Sequence, residues 1–312
     1  MNLSNKQAHT EAMLPIHGRI GLGTVQFGVD YGITNSVGKV SKTEVNKIAT
    51  AASKIGITVF DTACEYGNSE AVLGQALPRD KGFKIITKTP VSEYPEINPD
   101  YCEKVESRFE TSLNQLGIDQ CYGLLVHHAA DILKPGGDQL VQTLRTLQND
   151  GKTEKIGVSI YNAEEIDSIL KIFQPDLVQV PINILDQRLL KSGKLQKLKN
   201  LGVEIHARSL FLQGTLLIDS SELPAFFSPV LHRFQKVENL AASRGLSQLE
   251  LCLLFGLSID EIDLLVIGVT SLKELLDLQT SYSNLPNHML ENVAHLSIDE
   301  EQYINPALWP SK

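Results

Sequence analysis

Along the chain, short runs of aliphatic, β-branched and aromatic residues alternate with longer stretches in which apolar positions recur every three or four residues. The short runs predict strands at residues 19–24, 59–61, 84–87, 123–126, 155–159, 177–180, 204–207 and 263–267. Between them, the longer period predicts helices at 69–77, 100–116, 138–149, 163–173, 189–201, 231–244, 249–257 and 272–280. One more helix opens after Ser41, with Glu44 three residues on in the spacing of a capping box, and places Val45, Ile48, Ala49, Ala52 and Ile55 on one face. Gly56 stops it.

Most of the strand runs are continuously apolar rather than alternating, as strands buried on both faces are. Eight strand–helix units without a break in composition predict a closed parallel α/β barrel, the (β/α)8 TIM-barrel architecture; a doubly wound open sheet is the alternative. Residues 1–312 are then one domain, with a polar N-terminal tail at 1–18 and a C-terminal extension at 281–312. No repeat of 20 to 50 residues is visible beyond the alternation itself.

Composition narrows the function. With 42% hydrophobic residues the chain can bury a large core, and 37 acids against 28 Lys and Arg give a formal charge of -9. That balance disfavours nucleic acid or an anionic membrane as the main partner. Cys64, Cys102, Cys121 and Cys252 have neither C-x-x-C nor metal-ligand spacing, so buried thiols in a reducing compartment are expected and no metal site is. The first 17 residues lack the apolar core of a signal peptide, and no apolar run approaches the ~20 residues of a membrane span. A cytoplasmic protein is expected.

Two near-motifs fail on inspection. Gly21-Leu22-Gly23 opens like a dinucleotide fingerprint, but Gln26 stands at the third glycine. Residues 32–39 resemble a phosphate loop with one residue too many between the glycines, and Val40 replaces the required hydroxyl.

The strand ends carry the chemistry. Asp61, Lys88 and His127 close three successive strand runs, and Tyr66 follows Asp61 in a turn marked by Gly67 and Asn68. Alone, the His reads as a structural histidine and the Lys as a solvated one; in a (β/α)8 barrel all three share the rim where active sites form. A phenol is a poor acid at neutral pH, so an adjacent ammonium is expected to lower its pKa, with the carboxylate anchoring the ammonium. His127, as a neutral imidazole, is expected to orient a substrate oxygen.

The segment Asp61-Thr62-Ala63-Cys64-Glu65-Tyr66-Gly67, together with Thr87-Lys88, Leu124-Leu125-Val126-His127, Ile156-Gly157-Val158-Ser159 and Val178-Gln179-Val180-Pro181-Ile182-Asn183, resembles the aldo-keto reductases. Matching segments run from Arg19 to about Gln279. The resemblance implies a (β/α)8 barrel that transfers hydride from a nicotinamide cofactor to an aldehyde or ketone, with a catalytic tetrad at Tyr66, Lys88, Asp61 and His127. His127 rather than His128 is the tetrad imidazole, because it directly follows the apolar strand.

By the same resemblance, Ser159 and Gln179 hold the nicotinamide carboxamide, with Thr24 beside them. Arg208, Ser209, Leu210, Gln213 and Gly214 line the diphosphate channel, and Gly268, Thr270, Ser271, Lys273 and Asp277 hold the adenosine end, with Gln279 near the adenine. Three departures stand out: Ile160 follows Ser159 where Asn is common, Arg208 replaces the usual stacking aromatic, and only Lys273 is basic after the last strand. NADP(H) is expected ahead of NAD(H), as in most of the family. Phe27, Tyr31, Tyr94, His128 and Phe211 are candidate substrate-pocket residues, and the polar loop 28–32 suits a sugar or another hydroxylated carbonyl. A cofactor-binding redox sensor with little turnover, or an aldolase-like barrel with Lys88 as a Schiff base, are the other readings.

Overall fold

The computed structural model describes residues 18–78, 82–286, 289–290 and 292–310, so most of the expected N-terminal tail lies outside the described residues. Eight strands close into one parallel barrel in sequence order: β1 (Ile20–Gly23), β2 (Val59–Asp61), β3 (Lys84–Lys88), β4 (Cys121–Val126), β5 (Thr153–Ser159), β6 (Leu177–Pro181), β7 (Glu204–Arg208) and β8 (Leu264–Gly268). The first strand closes on the last through the register Leu22 to Ile267 and Gly23 to Gly268. A doubly wound sheet is thereby ruled out.

Closure needs close backbone approach between β5 and β6. A Cβ at Gly157 would stand 1.8 Å from the Leu177 carbonyl oxygen, so glycine is required there. Inside the barrel, Val59, Ile86, Tyr122, Leu125, Leu177, Leu264 and Val266 form a buried plug, separate from the larger core between strands and helices. At the N-terminal end of the strands the Glu204 carboxylate accepts from the Tyr122 hydroxyl (2.6 Å), pairs with the Lys155 ammonium and meets His206 Nε2 (2.6 Å). The barrel is thus packed at its base.

Helix boundaries follow their caps. Helix Lys42–Lys54 buries Val45, Ile48, Ala49 and Ala52, as the periodicity predicts, and the Ser41 hydroxyl accepts from Glu44 N. The second half of the expected capping box is missing: the Glu44 carboxylate turns outward and accepts from Leu272 N at 2.8 Å. The helix expected at 189–201 splits into Arg188–Lys191 and Lys194–Asn200, because Gly193 takes φ +69° between them. The helix after β5 is also shorter than its pattern, ending at Ile169.

Candidate functional site

Asp61 and Lys88 end β2 and β3, and both are nearly inaccessible, at 5% and 2% exposure. The Lys88 ammonium donates to Asp61 Oδ1 (2.9 Å), to Asp61 Oδ2 (2.7 Å) and to the Thr62 carbonyl (2.9 Å). Its three N–H bonds therefore have three acceptors. From β6, Gln179 Nε2 reaches across to donate to Asp61 Oδ1 at 2.8 Å. The Tyr66 ring lies 5.1 Å from the Lys88 nitrogen and packs edge-on against His127, with centroids 5.7 Å apart.

The loop that carries Tyr66 is fixed by backbone contacts. Tyr66 N donates to the Ala63 carbonyl, and Ser69 N donates to the Tyr66 carbonyl. Gly28 presses on the same carbonyl, so closely that a Cβ there would stand 1.6 Å from the Tyr66 oxygen. Thr24 is committed to this scaffold: its hydroxyl donates to the Asp61 carbonyl (3.0 Å) and accepts from Ser69 Oγ (2.8 Å).

Burial lifts the Tyr66 phenol well above its ordinary pKa, Asp61 and Tyr31 push the same way, and Arg208 opposes them. The phenol is thus raised where the sequence led one to expect it lowered, because burial dominates and the Lys88 ammonium donates its hydrogens to Asp61 and Thr62. Burial also pushes His127 down to about 3, assisted by Lys88, His128 and Arg208. The imidazole is neutral at physiological pH, and its Nδ1 is buried without a partner. The triply engaged Lys88 offers no free amine for a Schiff base, which disfavours the aldolase reading.

Above these groups opens a cavity of about 530 Å³. Asp61, Lys88, Tyr66, His127, Ser159 and Gln179 form its inner wall, and Thr24, Arg208, Ser209, Leu210, Gln213, Gly214, Gly268 and Thr270 line the rest. Arg208 lies 4.4 Å from the Tyr161 ring centroid and donates to the Ile160 carbonyl at 3.1 Å, so the residue that departs from the common Asn supplies a backbone acceptor instead. The loop after β7 holds three non-glycine residues in the left-handed region, Ser209 (φ 63°), Leu212 (φ 45°) and Gln213 (φ 53°). Such clustering of costly conformations marks functional walls.

Of the substrate-pocket candidates, Tyr31 and Phe211 line the cavity. Phe27 does not: the short helical turn Val25–Gly28 directs its ring into the core, fully buried. Gln26 faces the cavity in its place, with Oε1 buried and unpartnered. Tyr94 packs on Tyr101 instead, with ring centroids 6.4 Å apart. His128 stands behind the wall, edge-on to His127 and Tyr161. Tyr161, Gln26, Thr34 and Asn35 are cavity residues that sequence reasoning missed; the loops after strands β1 and β5 are polar, but no periodicity marks which side chains face inward.

A second cavity of about 340 Å³ adjoins the first, sharing Phe211, Leu217, Ile267, Gly268 and Glu274 in its wall. Asp277 lines it, but Ser271 caps helix Leu272–Ser283, and Lys273 points to solvent in an ion pair with Asp277 at 2.6 Å. Lys273 itself lines neither cavity.

Comparison with known proteins agrees with this architecture. The model of the Aldo/keto reductase family matches residues 19–297. The chain belongs to that family. Among curated aldo/keto reductase relatives, it is 26% identical over 220 residues to the NADH-specific methylglyoxal reductase of Escherichia coli, covering 64% of this chain and 65% of that protein. It is 28% identical over 218 residues to an aldo-keto reductase of Strobilurus tenacellus, covering 68% of this chain and 62% of the relative. The chain thus spans just under two thirds of the length of these two relatives. Among solved structures, an aldo-keto reductase from Bacillus halodurans in its holo form superposes with TM-score 0.70 at 16% identity, over 93% of each chain. The glycerol dehydrogenase of Gluconobacter oxydans superposes with TM-score 0.69 at 20% identity, over 96% of this chain and 98% of that one; both likenesses are of fold. Among the described residues, no single helix is long and apolar enough to cross a membrane.

Proposed function

We propose that this barrel is a nicotinamide-dependent oxidoreductase that reduces an aldehyde or ketone to an alcohol, with Tyr66 as the acid. The observation that carries it is the meeting of Tyr66, Lys88, Asp61 and His127 on the inner wall of the cavity. The cavity also fits the cofactor: it continues into a second chamber, and it presents buried unpartnered polar atoms on Gln26 and His127. Ser159, Gln179 and Arg208 would hold the nicotinamide end, and Ser209, Leu210, Gln213 and Gly214 the diphosphate. When bound, the cofactor supplies the hydride.

Everything else falls to the chain's own side chains. His127, neutral, donates one hydrogen bond to the carbonyl oxygen and fixes its position beside the phenol. Tyr66 keeps its proton because of its raised pKa and gives it up only as negative charge develops on that oxygen. Lys88 contributes a nearby positive charge rather than a hydrogen bond, and Asp61 holds it in place. Tyr31, Tyr161 and Gln213 make the entrance polar, which suits a hydroxylated carbonyl compound such as a sugar. The test is consumption of reduced cofactor with a panel of aldehydes: Tyr66→Phe should lose at least about a hundredfold in turnover, within the range for removing a general acid, while cofactor binding by fluorescence stays intact. Full turnover by Tyr66→Phe would sink the proposal.

A further inference from the structure

We infer that this barrel takes NADH in preference to NADPH, and that Glu274 is the group that discriminates. The inference rests on the reductase proposal and concerns the far chamber, where the adenosine end would lie. It runs against the expectation of NADP(H) from the sequence.

A phosphate is commonly held at the first amides of a helix, whose N–H groups lack partners within the helix. Here two of those amides, and the Thr270 amide just before them, are already engaged. Thr270 N donates to Glu274 Oε2 (2.6 Å) and Thr270 Oγ1 to Glu274 Oε1 (2.8 Å). Leu272 N donates to Glu44 Oε1 (2.8 Å), and Glu274 N to Ser271 Oγ (3.2 Å). Two carboxylates and a hydroxyl thus stand at the start of helix Leu272–Ser283.

The cations nearby are spoken for. Lys47 pairs with Glu44 at 3.0 Å and Lys273 with Asp277 at 2.6 Å. Glu274 forms no salt bridge among the described residues, and it borders both cavities. Asp277 adds a second carboxylate to the wall of the far chamber.

The two cofactors differ only in a 2′-phosphate. A ribose with free hydroxyls can donate hydrogen bonds to a carboxylate, which is an acceptor only. A phosphate monoester carries about -1.5 to -2 charges at neutral pH and would face the Glu274 carboxylate with like charge. To bind the Thr270 or the Leu272 amide it would have to displace a carboxylate. Discrimination here comes from repulsion rather than from a better contact with the favoured ligand.

The experiment is equilibrium titration of the full chain with NADH and with NADPH, read by cofactor fluorescence at low ionic strength, for the wild type, Glu274→Gln and Glu274→Arg. The wild type should bind NADH at least about tenfold more tightly, a modest repulsion in a partly solvated site. Glu274→Gln should narrow that ratio, mainly by tightening NADPH, and Glu274→Arg should close or invert it. NADPH binding as tight as NADH in the wild type would overturn the preference while leaving the reductase proposal standing. A ratio unchanged in both variants would overturn the role of Glu274. Failure of the wild type to bind either cofactor would overturn the preference and the reductase proposal together.

Discussion

Gln179 donates to Asp61 Oδ1 at 2.8 Å across the barrel mouth, so a side chain expected to hold the cofactor also holds the carboxylate that anchors Lys88. The amide joins β6 to β2, strands that are not neighbours in the sheet. Removing it in Gln179→Leu leaves one oxygen of Asp61 with Lys88 as its partner in a buried site. The expected cost is about 1–3 kcal/mol of stability, measured by urea unfolding, accompanied by a loss of turnover larger than the loss of cofactor affinity.

The Asp61–Lys88 pair is buried on both sides, with side chains 6% and 1% exposed. Breaking it from one side strands a charge. Asp61→Asn should destabilise the fold by about 3–5 kcal/mol, whereas the double change Asp61→Leu with Lys88→Met should recover most of that while remaining inactive. Thermal unfolding of the three proteins checks both statements; equal melting of the single and double variants would contradict the second.

Acid sensitivity follows from His127. Its folded pKa is depressed to about 3, below the unfolded value of 6.5, so the native form is neutral and the unfolded chain takes up a proton first as pH falls. Stability from this group is full above pH 6.5 and is lost progressively toward pH 3. Between pH 6.5 and 5 the wild type should therefore lose up to about 2 kcal/mol more than His127→Gln does. Urea midpoints at the two pH values measure it. Glu204, whose pKa is lowered by His206, Lys155 and Tyr122 against its burial, adds its own loss only at lower pH.

Gly28 sets the position of the phenol without touching any reacting atom. Gly28→Ala places a methyl on the Tyr66 carbonyl and near Ser69 N, both backbone atoms that cannot swing aside. The variant should fold with a lower melting temperature and lose at least about tenfold in turnover, since small displacements of a positioned group are costly. Wild-type turnover in this variant would show that the loop yields freely.

Much of this was readable from the order of residues. The barrel followed from eight apolar runs separated by helical periods, because strands buried on both faces leave that pattern, and the rim followed because Asp61, Lys88 and His127 each close a run. What the pattern hid was direction within loops. Phe27 belongs to a loop by sequence, yet Val25–Gly28 coils into a turn that sends the ring inward and Gln26 outward. Glu44 looked like half of a capping box and proved to be a link to the start of another helix more than 200 residues away, a pairing that only barrel closure between β1 and β8 creates. The direction of the Tyr66 pKa was likewise illegible, since it is set first by how deeply the fold buries the phenol and then by the charges that fold places around it.

The plugged base of the barrel has a last consequence. With Glu204, Lys155 and Tyr122 closing one end and aliphatic side chains stacked above them, the barrel axis is no passage, and the groups gathered at the opposite mouth are shielded from water on that side.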